Sequence, residues 1–151
     1  MILGLHHAAI AVPSIEQAVA FYCDVLGFEV VMEADIPGGI DVMAQALGIS
    51  DSQFKARMIK KGNSCIEMFE FGQSEAGEDA RPANKLGITH FALVSDDVEN
   101  DYNNLVNHGV TFNAPLFGAA PARFAYGRDP FGNIFELLEN NPDAADAVNF
   151  S

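Results

Sequence analysis

The sequence is poor in basic residues and in long apolar runs, and each shortage excludes a class of protein. Eight lysines and arginines stand against 21 aspartates and glutamates in 151 residues, giving a formal net charge of −13. Such an acidic chain offers no basic surface for nucleic acid or anionic lipid. No apolar run approaches the roughly 18 residues that cross a membrane, and the N-terminus lacks the layout of a signal peptide. We therefore expect a cytoplasmic protein with no nucleic-acid or membrane partner.

Cysteine is also scarce, and its scarcity bears on how the fold is stabilised. Cys23 and Cys65 are the two cysteines of the chain, and both lie in apolar contexts. Two cysteines make a disulfide framework improbable. Hydrophobic residues make up 49% of the sequence, so we expect stability to come from a buried core. The length suits one ordinary domain, or two small modules that share a core.

One pattern of a strand, a helix and three further strands occurs twice along the chain. In the first half, alternation predicts a strand over roughly 5–12, followed by a helix that ends at Gly27. A strand over about 28–35 follows, and then "FKARMIKK" and "SCIEMFEF" form a hairpin turning at Gly62-Asn63. The helix is expected to begin with a capping box at "SIEQ".

The second half repeats these elements in the same order. "ITHFALV" reads as a strand, and a helix capped by Asp96 or Asp97 ends at Gly109. "VTFNAPLF" is extended, and "ARFAYGR" and "IFELLE" are strands joined by a turn at "DPFGN". The predicted fold class is therefore α+β, with two tandem βαβββ modules.

We predict that the whole chain, 1–151, is a single domain with four parts. These are module one at about 3–72, a linker at 73–86, module two at about 87–140 and a tail at 141–151. The segment 37–53 is an insertion in the first half only, and its apolar spacing predicts a short amphipathic helix.

Two histidines and two glutamates occupy equivalent positions in the two halves. Strand alternation places His7 and His90 on the open face of each sheet, because bulkier apolar residues occupy the other face. Glu67 and Glu136 each lie among apolar neighbours, which is costly for a carboxylate without a partner. Two nitrogen and two oxygen donors suit a divalent ion such as Zn, Ni, Co, Fe or Mn. The residues therefore predict a metal site with these four ligands.

Other histidines and glutamates receive a structural interpretation. His6 aligns with Thr89 rather than with a second histidine, so we expect it to have a structural part at most. His108 lies near a helix C-terminus, where a cation is favoured. Glu70 and Glu139 are interpreted as residues at the rim of their sheets.

Several segments carry a resemblance to a known family. "HHAAIAVPSIEQAVAFYCDVLGFEV", "IEMFEF", "GITHFALVSDDVENDYNNL" and "RDPFGNIFELLE" closely resemble the vicinal oxygen chelate superfamily. That superfamily includes glyoxalase I, methylmalonyl-CoA epimerase, extradiol dioxygenases, and fosfomycin- and bleomycin-resistance proteins. The resemblance covers about residues 3–140.

The resemblance implies paired βαβββ modules whose sheets curl round a metal-centred cleft. The superfamily's ligands fall on His7, Glu67, His90 and Glu136, a set similar to that of the glyoxalase I branch. The implied enzyme is a lyase or isomerase that moves a proton alpha to a carbonyl through a metal-bound enediolate. Glu136 or Glu67 would serve as general base and acid. A small-molecule substrate with vicinal oxygens and a homodimer are also implied, with the site in one chain or shared across the interface.

Alternative functions stay open on the sequence. An extradiol ring-cleaving dioxygenase would use His7 or His90 with Glu136 around Fe(II). A methylmalonyl-CoA epimerase-like isomerase and a non-catalytic small-molecule binding (resistance) protein are the others. In the implied proton-transfer enzyme, Phe69, Phe71 and Leu138 are expected to line the cleft and exclude water. The helix at 40–47 and the loop "APLFGAAPARFAYG" are candidate lids or plain connections.

Overall fold

The computed structural model describes residues 1–74 and 81–147. The chain divides into two compact units, Met1–Ala76 and Gly77–Ser151. The predicted linker therefore falls partly outside the described residues, as do the last four residues of the predicted tail. The elements are β1 (Ala8–Ala11), α1 (Ile15–Val19) with a π-helical continuation (Ala20–Val25), β2 (Glu29–Ile36), α2 (Asp41–Leu47), β3 (Phe54–Lys61), β4 (Ser64–Phe71), β5 (Phe91–Ser95), α3 (Val98–Asn107), β6 (Thr111–Phe112), β7 (Phe124–Arg128) and β8 (Ile134–Glu139).

Each unit contains one four-stranded mixed sheet, and the two sheets share one topology. The strand order is β1-β4-β3-β2 in the first unit and β5-β8-β7-β6 in the second. The first strand of each unit runs parallel to the last, whereas the other neighbours are antiparallel. A parallel neighbour requires a crossover, which the helix after the first strand begins. The predicted α+β class and the two βαβββ modules are confirmed.

In the first unit, α1 begins and packs as the sequence predicts. The Ser14 side chain accepts a hydrogen bond from the Gln17 backbone N–H, which caps the helix. Ile15 is 2% exposed and Ala18 is fully buried, so this helix covers one face of the sheet. The chain then leaves the helical region through Gly27, whose φ of 70° favours glycine.

In the second unit, α3 takes the same position relative to its own sheet. Asp97, rather than Asp96, caps the helix by accepting the Asn100 N–H. Val98 and Leu105 are buried on the side of the helix that faces the sheet. Phe135 of β8 is buried as well. The outer face of this helix is polar, so its apolar residues can still form one buried stripe against the sheet.

The β7–β8 turn is held by a buried carboxylate. Asp129 is 4% exposed, and its Oδ1 accepts hydrogen bonds from the backbone N–H groups of Phe131 and Asn133 at 2.9 and 2.7 Å. Its Oδ2 accepts from the Asn133 side chain at 2.8 Å, and the Gly132 N–H returns to the Asp129 carbonyl. The predicted turn at "DPFGN" is therefore present and strongly bonded.

The strands predicted over 5–12 and at "VTFNAPLF" are much shorter in the structure, and those predicted at "ITHFALV" and "ARFAYGR" begin later than expected. The first begins at Ala8 because its ladder with β4 covers only 8–11, and Leu3 and Leu5 before it are at least nine-tenths exposed. The strand expected from "VTFNAPLF" is limited to Thr111–Phe112. Pro115 follows shortly afterwards and has no N–H to give to a ladder.

The predicted helix of the insertion is present as α2, and none of its residues is buried. The Ser52 hydroxyl, which is almost fully buried, accepts the Ile40 N–H at 2.8 Å and so fastens the start of the insertion to its end. Across residues 1–74 and 81–147, no helix has the length and apolarity needed to span a membrane.

Candidate functional site

In the first unit the structure brings together His7 and Glu67. His7 lies immediately before β1, and Glu67 lies in β4 opposite Ala9 of β1. Residues two apart along an extended chain share a face, so the imidazole and the carboxylate meet on the face that α1 leaves open. The His7 Nε2 atom is 3.2 Å from Glu67 Oε2, with side-chain exposures of 34% and 18%.

The second unit repeats this pair with the same geometry. His90 lies immediately before β5, and Glu136 lies in β8 opposite Ala92. The His90 Nε2 atom is 3.3 Å from Glu136 Oε2, and both side chains are largely covered. The predicted equivalence of the two halves therefore extends to individual atoms.

The other ring nitrogen of each histidine faces the side chain that precedes it. His7 Nδ1 is 2.8 Å from the Nδ1 of His6, and His90 Nδ1 is 2.8 Å from the Oγ1 of Thr89. Both neighbours can accept an Nδ1–H hydrogen bond, which leaves Nε2 free to bind a ligand. His6 and Thr89, which align in sequence, therefore also share a contact: each lies beside the Nδ1 atom of the histidine that follows it.

The spacing within each pair fits two neighbouring ligands of one metal ion. Donor atoms about 2.1 Å from an ion lie about 3.0 Å apart at right angles and about 3.4 Å apart at the tetrahedral angle. The observed Nε2–Oε2 distances of 3.2 and 3.3 Å fall between these values. Among the residues that the structure describes, however, no group of three or more His, Cys, Asp or Glu side chains could hold a metal ion. The four-ligand site stays a prediction.

The two carboxylates differ in the residue across the hairpin. Met58 lies opposite Glu67, and Tyr126 lies opposite Glu136. The Tyr126 ring also meets His90 edge-on, with ring centroids 5.1 Å apart. Burial, the negative charge of Glu136 and a hydrogen bond to that carboxylate raise the pKa of Tyr126. Tyr126 is not among the predicted site residues, although the alternation of "ARFAYGR" against "IFELLE" could have placed it beside Glu136.

Aromatic side chains lie on the same face as the carboxylates. Phe69 and Phe71 follow Glu67 along β4 and stack with ring centroids 5.2 Å apart and nearly parallel planes. Leu138 follows Glu136 along β8, and all three apolar side chains are half-buried. Their position agrees with a role in shielding a site from water, and that role stays a prediction.

Glu70 and Glu139 have a structural function within their own units. Glu70 Oε2 accepts the Ile15 N–H at the start of α1 at 2.7 Å, and Oε1 pairs with Lys55. Glu139 binds the Arg123 guanidinium through two hydrogen bonds of 2.9 and 2.6 Å. The hydrogen bonds and charge of Arg123 lower the pKa of Glu139 against the effect of burial. Both glutamates lie at or next to the end of their strand, and each also pairs with a basic side chain, which the sequence pattern does not predict.

A pocket of about 330 Å³ in the first unit lies apart from the His7–Glu67 pair. The first and last residues of the insertion, Pro37 and Gln53, line this pocket, but the helix at 40–47 does not. A lid function for 40–47 stays a prediction. The pocket is lined by Asp35, Ile36, Pro37, Gln53, Phe54, Lys55, Glu70 and Gly72.

Comparison with known proteins relates the chain to one superfamily. The sequence profile described as "Glyoxalase/Bleomycin resistance protein/Dioxygenase superfamily" matches residues 4–137. The uncharacterized protein YaeR of Escherichia coli strain K12 is 31% identical over 143 residues, which cover 91% of this chain and 98% of YaeR.

Solved structures share the fold at low sequence identity. A glyoxalase family protein from Bacillus cereus superposes with a TM-score of 0.77 at 22% identity, covering 92% of this chain and 95% of that one. The trypanothione-dependent glyoxalase I of Leishmania major gives 0.66 at 19% identity, covering 90% and 86%. A mutant of the fosfomycin resistance protein FosX from Listeria monocytogenes, solved with Mn(II) and a dihydroxypropylphosphonic acid, gives 0.62 at 18%, covering 93% and 95%.

Proposed function

The chain belongs to the glyoxalase/bleomycin resistance protein/dioxygenase superfamily, and we propose that it is a metal-dependent enzyme that moves a proton alpha to a carbonyl. The observation that carries the proposal is the pair of equivalent His–Glu contacts at 3.2 and 3.3 Å. Two imidazole nitrogens and two carboxylates form the donor set of a borderline divalent ion, such as Zn, Ni, Co, Fe or Mn. The FosX structure with Mn(II) supports the proposal by showing a related fold that holds such an ion.

The proposed ligands are His7, Glu67, His90 and Glu136. A bound divalent cation would act as a Lewis acid toward the two neighbouring oxygens of the substrate. The histidines bind through Nε2, while His6 and Thr89 hold the opposite ring nitrogens.

The proton transfer is assigned to the carboxylates. A carboxylate oxygen of Glu136 or Glu67 accepts the proton from the substrate carbon and then returns it to the neighbouring carbon. Both carboxylates are largely covered, which limits the water around the reacting carbon while still allowing the carboxylate proton to exchange with solvent. The proposed substrate is therefore a small molecule with vicinal oxygens, such as a 2-oxo compound or a thioester.

Metal binding is the first test. We expect the purified protein to bind about one divalent ion per chain after incubation with Zn²⁺, Ni²⁺, Co²⁺ or Mn²⁺, measured by elemental analysis after desalting. His7→Ala and His90→Ala should each lower the bound metal severalfold. His108→Ala is the matched control, because its Nδ1 is bound to the Asn104 carbonyl at the end of α3. A wild-type protein that neither carries nor gains metal would exclude the enzyme and favour a binding protein.

Solvent exchange is the second test. In deuterated water we expect deuterium to appear alpha to the carbonyl of a 2-oxo or thioester substrate, measured by NMR. Glu136→Gln should abolish the exchange, whereas Glu99→Gln, on an exposed side chain, should leave it unchanged. Exchange that continues in Glu136→Gln would remove Glu136 from the mechanism. Oxygen uptake with a catechol would indicate a dioxygenase instead.

We also propose a homodimer, since paired modules in this superfamily are expected to associate in that way. Light scattering coupled to size exclusion should then give about twice the 16.2 kDa chain mass. A mass of one chain at micromolar concentration would contradict it. The cytoplasmic location stays a prediction.

A further inference from the structure

The two His–Glu pairs are equivalent in geometry but differ in the residue facing the carboxylate. Residues directly opposite in an antiparallel pair lie on one face with their Cβ atoms about 5 Å apart. Glu136 has Tyr126 in that place, and Glu67 has Met58. One carboxylate therefore faces a hydrogen-bond donor and the other an apolar thioether without one.

Tyr126 contacts both members of its pair. Its ring meets the His90 imidazole at an interplanar angle of 82°, which is an edge-to-face contact. Cross-strand register sets its side chain directly beside Glu136, and burial and the charge of that carboxylate raise the pKa of the phenol. Phe124 meets the Tyr126 ring from the same strand, with centroids 5.8 Å apart, and so limits the rotation of the phenol. The two contacts together restrain both the imidazole and the carboxylate.

The corresponding residue of the first unit has no such function. Met58 is 7% exposed, and its thioether is flexible and lacks a proton to donate. Within residues 1–74 and 81–147, the His7–Glu67 pair has His6 beside its imidazole and Met58 beside its carboxylate.

We propose that Tyr126 is a positioning residue for Glu136 and His90, which makes the second unit's pair the rigid one and Glu136 the carboxylate held in a fixed orientation. The inference rests on the proposed function, because it assigns different constraints to two carboxylates that the repeat leaves equivalent. A ligand whose hydrogen-bonded support is removed loses roughly 10- to 100-fold in metal affinity. The change in carboxylate environment should be confined to the pair that Tyr126 touches, whereas the loss of affinity concerns the whole four-ligand site.

The test uses Tyr126→Phe, which removes only the hydroxyl, with Met58→Leu as the matched control at the equivalent position. In metal-free protein labelled with ¹³C at glutamate, the Tyr126→Phe substitution should move the carboxylate resonance of Glu136 and leave that of Glu67 in place. Met58→Leu should leave the Glu136 resonance in place. An unmoved Glu136 resonance in Tyr126→Phe would overturn the proposal whether or not the protein binds metal.

Zn²⁺ titration by calorimetry is the second readout. We expect the dissociation constant of Tyr126→Phe to rise roughly 10- to 100-fold and that of Met58→Leu to change less than about threefold. In the solvent-exchange assay, kcat of Tyr126→Phe should fall with KM unchanged. Equal Zn²⁺ affinity in wild type and Tyr126→Phe would overturn the positioning role. Absence of Zn²⁺ binding in wild type would instead overturn the proposed function, and the carboxylate resonance would still decide whether Tyr126 holds Glu136.

Discussion

Replacing Asp129 by alanine should destabilise the β7–β8 hairpin that sets Tyr126 opposite Glu136. Asp129 is 4% exposed, and its carboxylate accepts two backbone N–H groups and one side-chain amide. A hydrogen bond to a charged group contributes about 1.5–3 kcal/mol. Loss of the two backbone bonds would remove at least about 3 kcal/mol if the N–H groups stayed dry. Because water can reach a truncated turn, we expect a loss of about 2–4 kcal/mol in the free energy of unfolding.

Urea denaturation followed by circular dichroism measures this loss. With an m-value of about 2 kcal/mol per molar urea, the midpoint should fall by about 1–2 M. Asp129→Asn keeps an oxygen acceptor but loses the charge, so its midpoint should lie between those of wild type and Asp129→Ala. Asp146→Ala, on an exposed residue of the tail, is the control and should stay within about 0.5 kcal/mol of wild type. If Asp129→Ala were as stable toward urea as this control, the buried carboxylate would not stabilise the hairpin.

Two further predictions concern Glu139 and Glu70, which bind the Arg123 guanidinium and the Ile15 N–H respectively. Because Arg123 lowers the pKa of Glu139 in the folded protein, the pair stabilises the fold above the ordinary glutamate pKa of about 4.3, and this contribution disappears as the pH falls through the folded-state value. The difference in urea midpoint between wild type and Glu139→Gln should therefore shrink between pH 6 and pH 3, and a constant difference would contradict it. Glu70→Ala should cost about 1–2 kcal/mol by removing the acceptor of the Ile15 N–H. Faster hydrogen exchange of the Ile15 amide would check this, and unchanged exchange would show that Glu70 does not hold the helix.

Much of the fold could be predicted because its signals are local. Alternation placed β3 at Phe54–Lys61 and β4 at Ser64–Phe71, and the cap at Ser14 depends on residues only three apart. The repeat then predicted the remaining strands, because two copies of one pattern are expected to fold in the same way. The errors occurred where a partner strand was missing, as in residues 5–7 before β1.

The candidate site was partly predictable for the same reason. His7 and Glu67 share a face because strand alternation has a period of two, and the structure brings their side chains to 3.2 Å. The functions of Glu70 and Glu139 were missed because their partners, Lys55 and Arg123, lie in a neighbouring strand or beside it. Cross-strand partners depend on register, which a single strand's pattern does not specify.

The sequence by itself determined that the chain contains two copies of one module, each with a histidine and a glutamate on the open face. Composition, periodicity and turn residues carry that information within short stretches of chain. Only the tertiary structure decided what each of these side chains touches: His6 and Thr89 behind the histidines, Met58 beside Glu67 and Tyr126 beside Glu136. The physical reason is that side-chain rotamers set the contacts between chain neighbours and strand register sets those between strands, and together they make two equivalent halves chemically different.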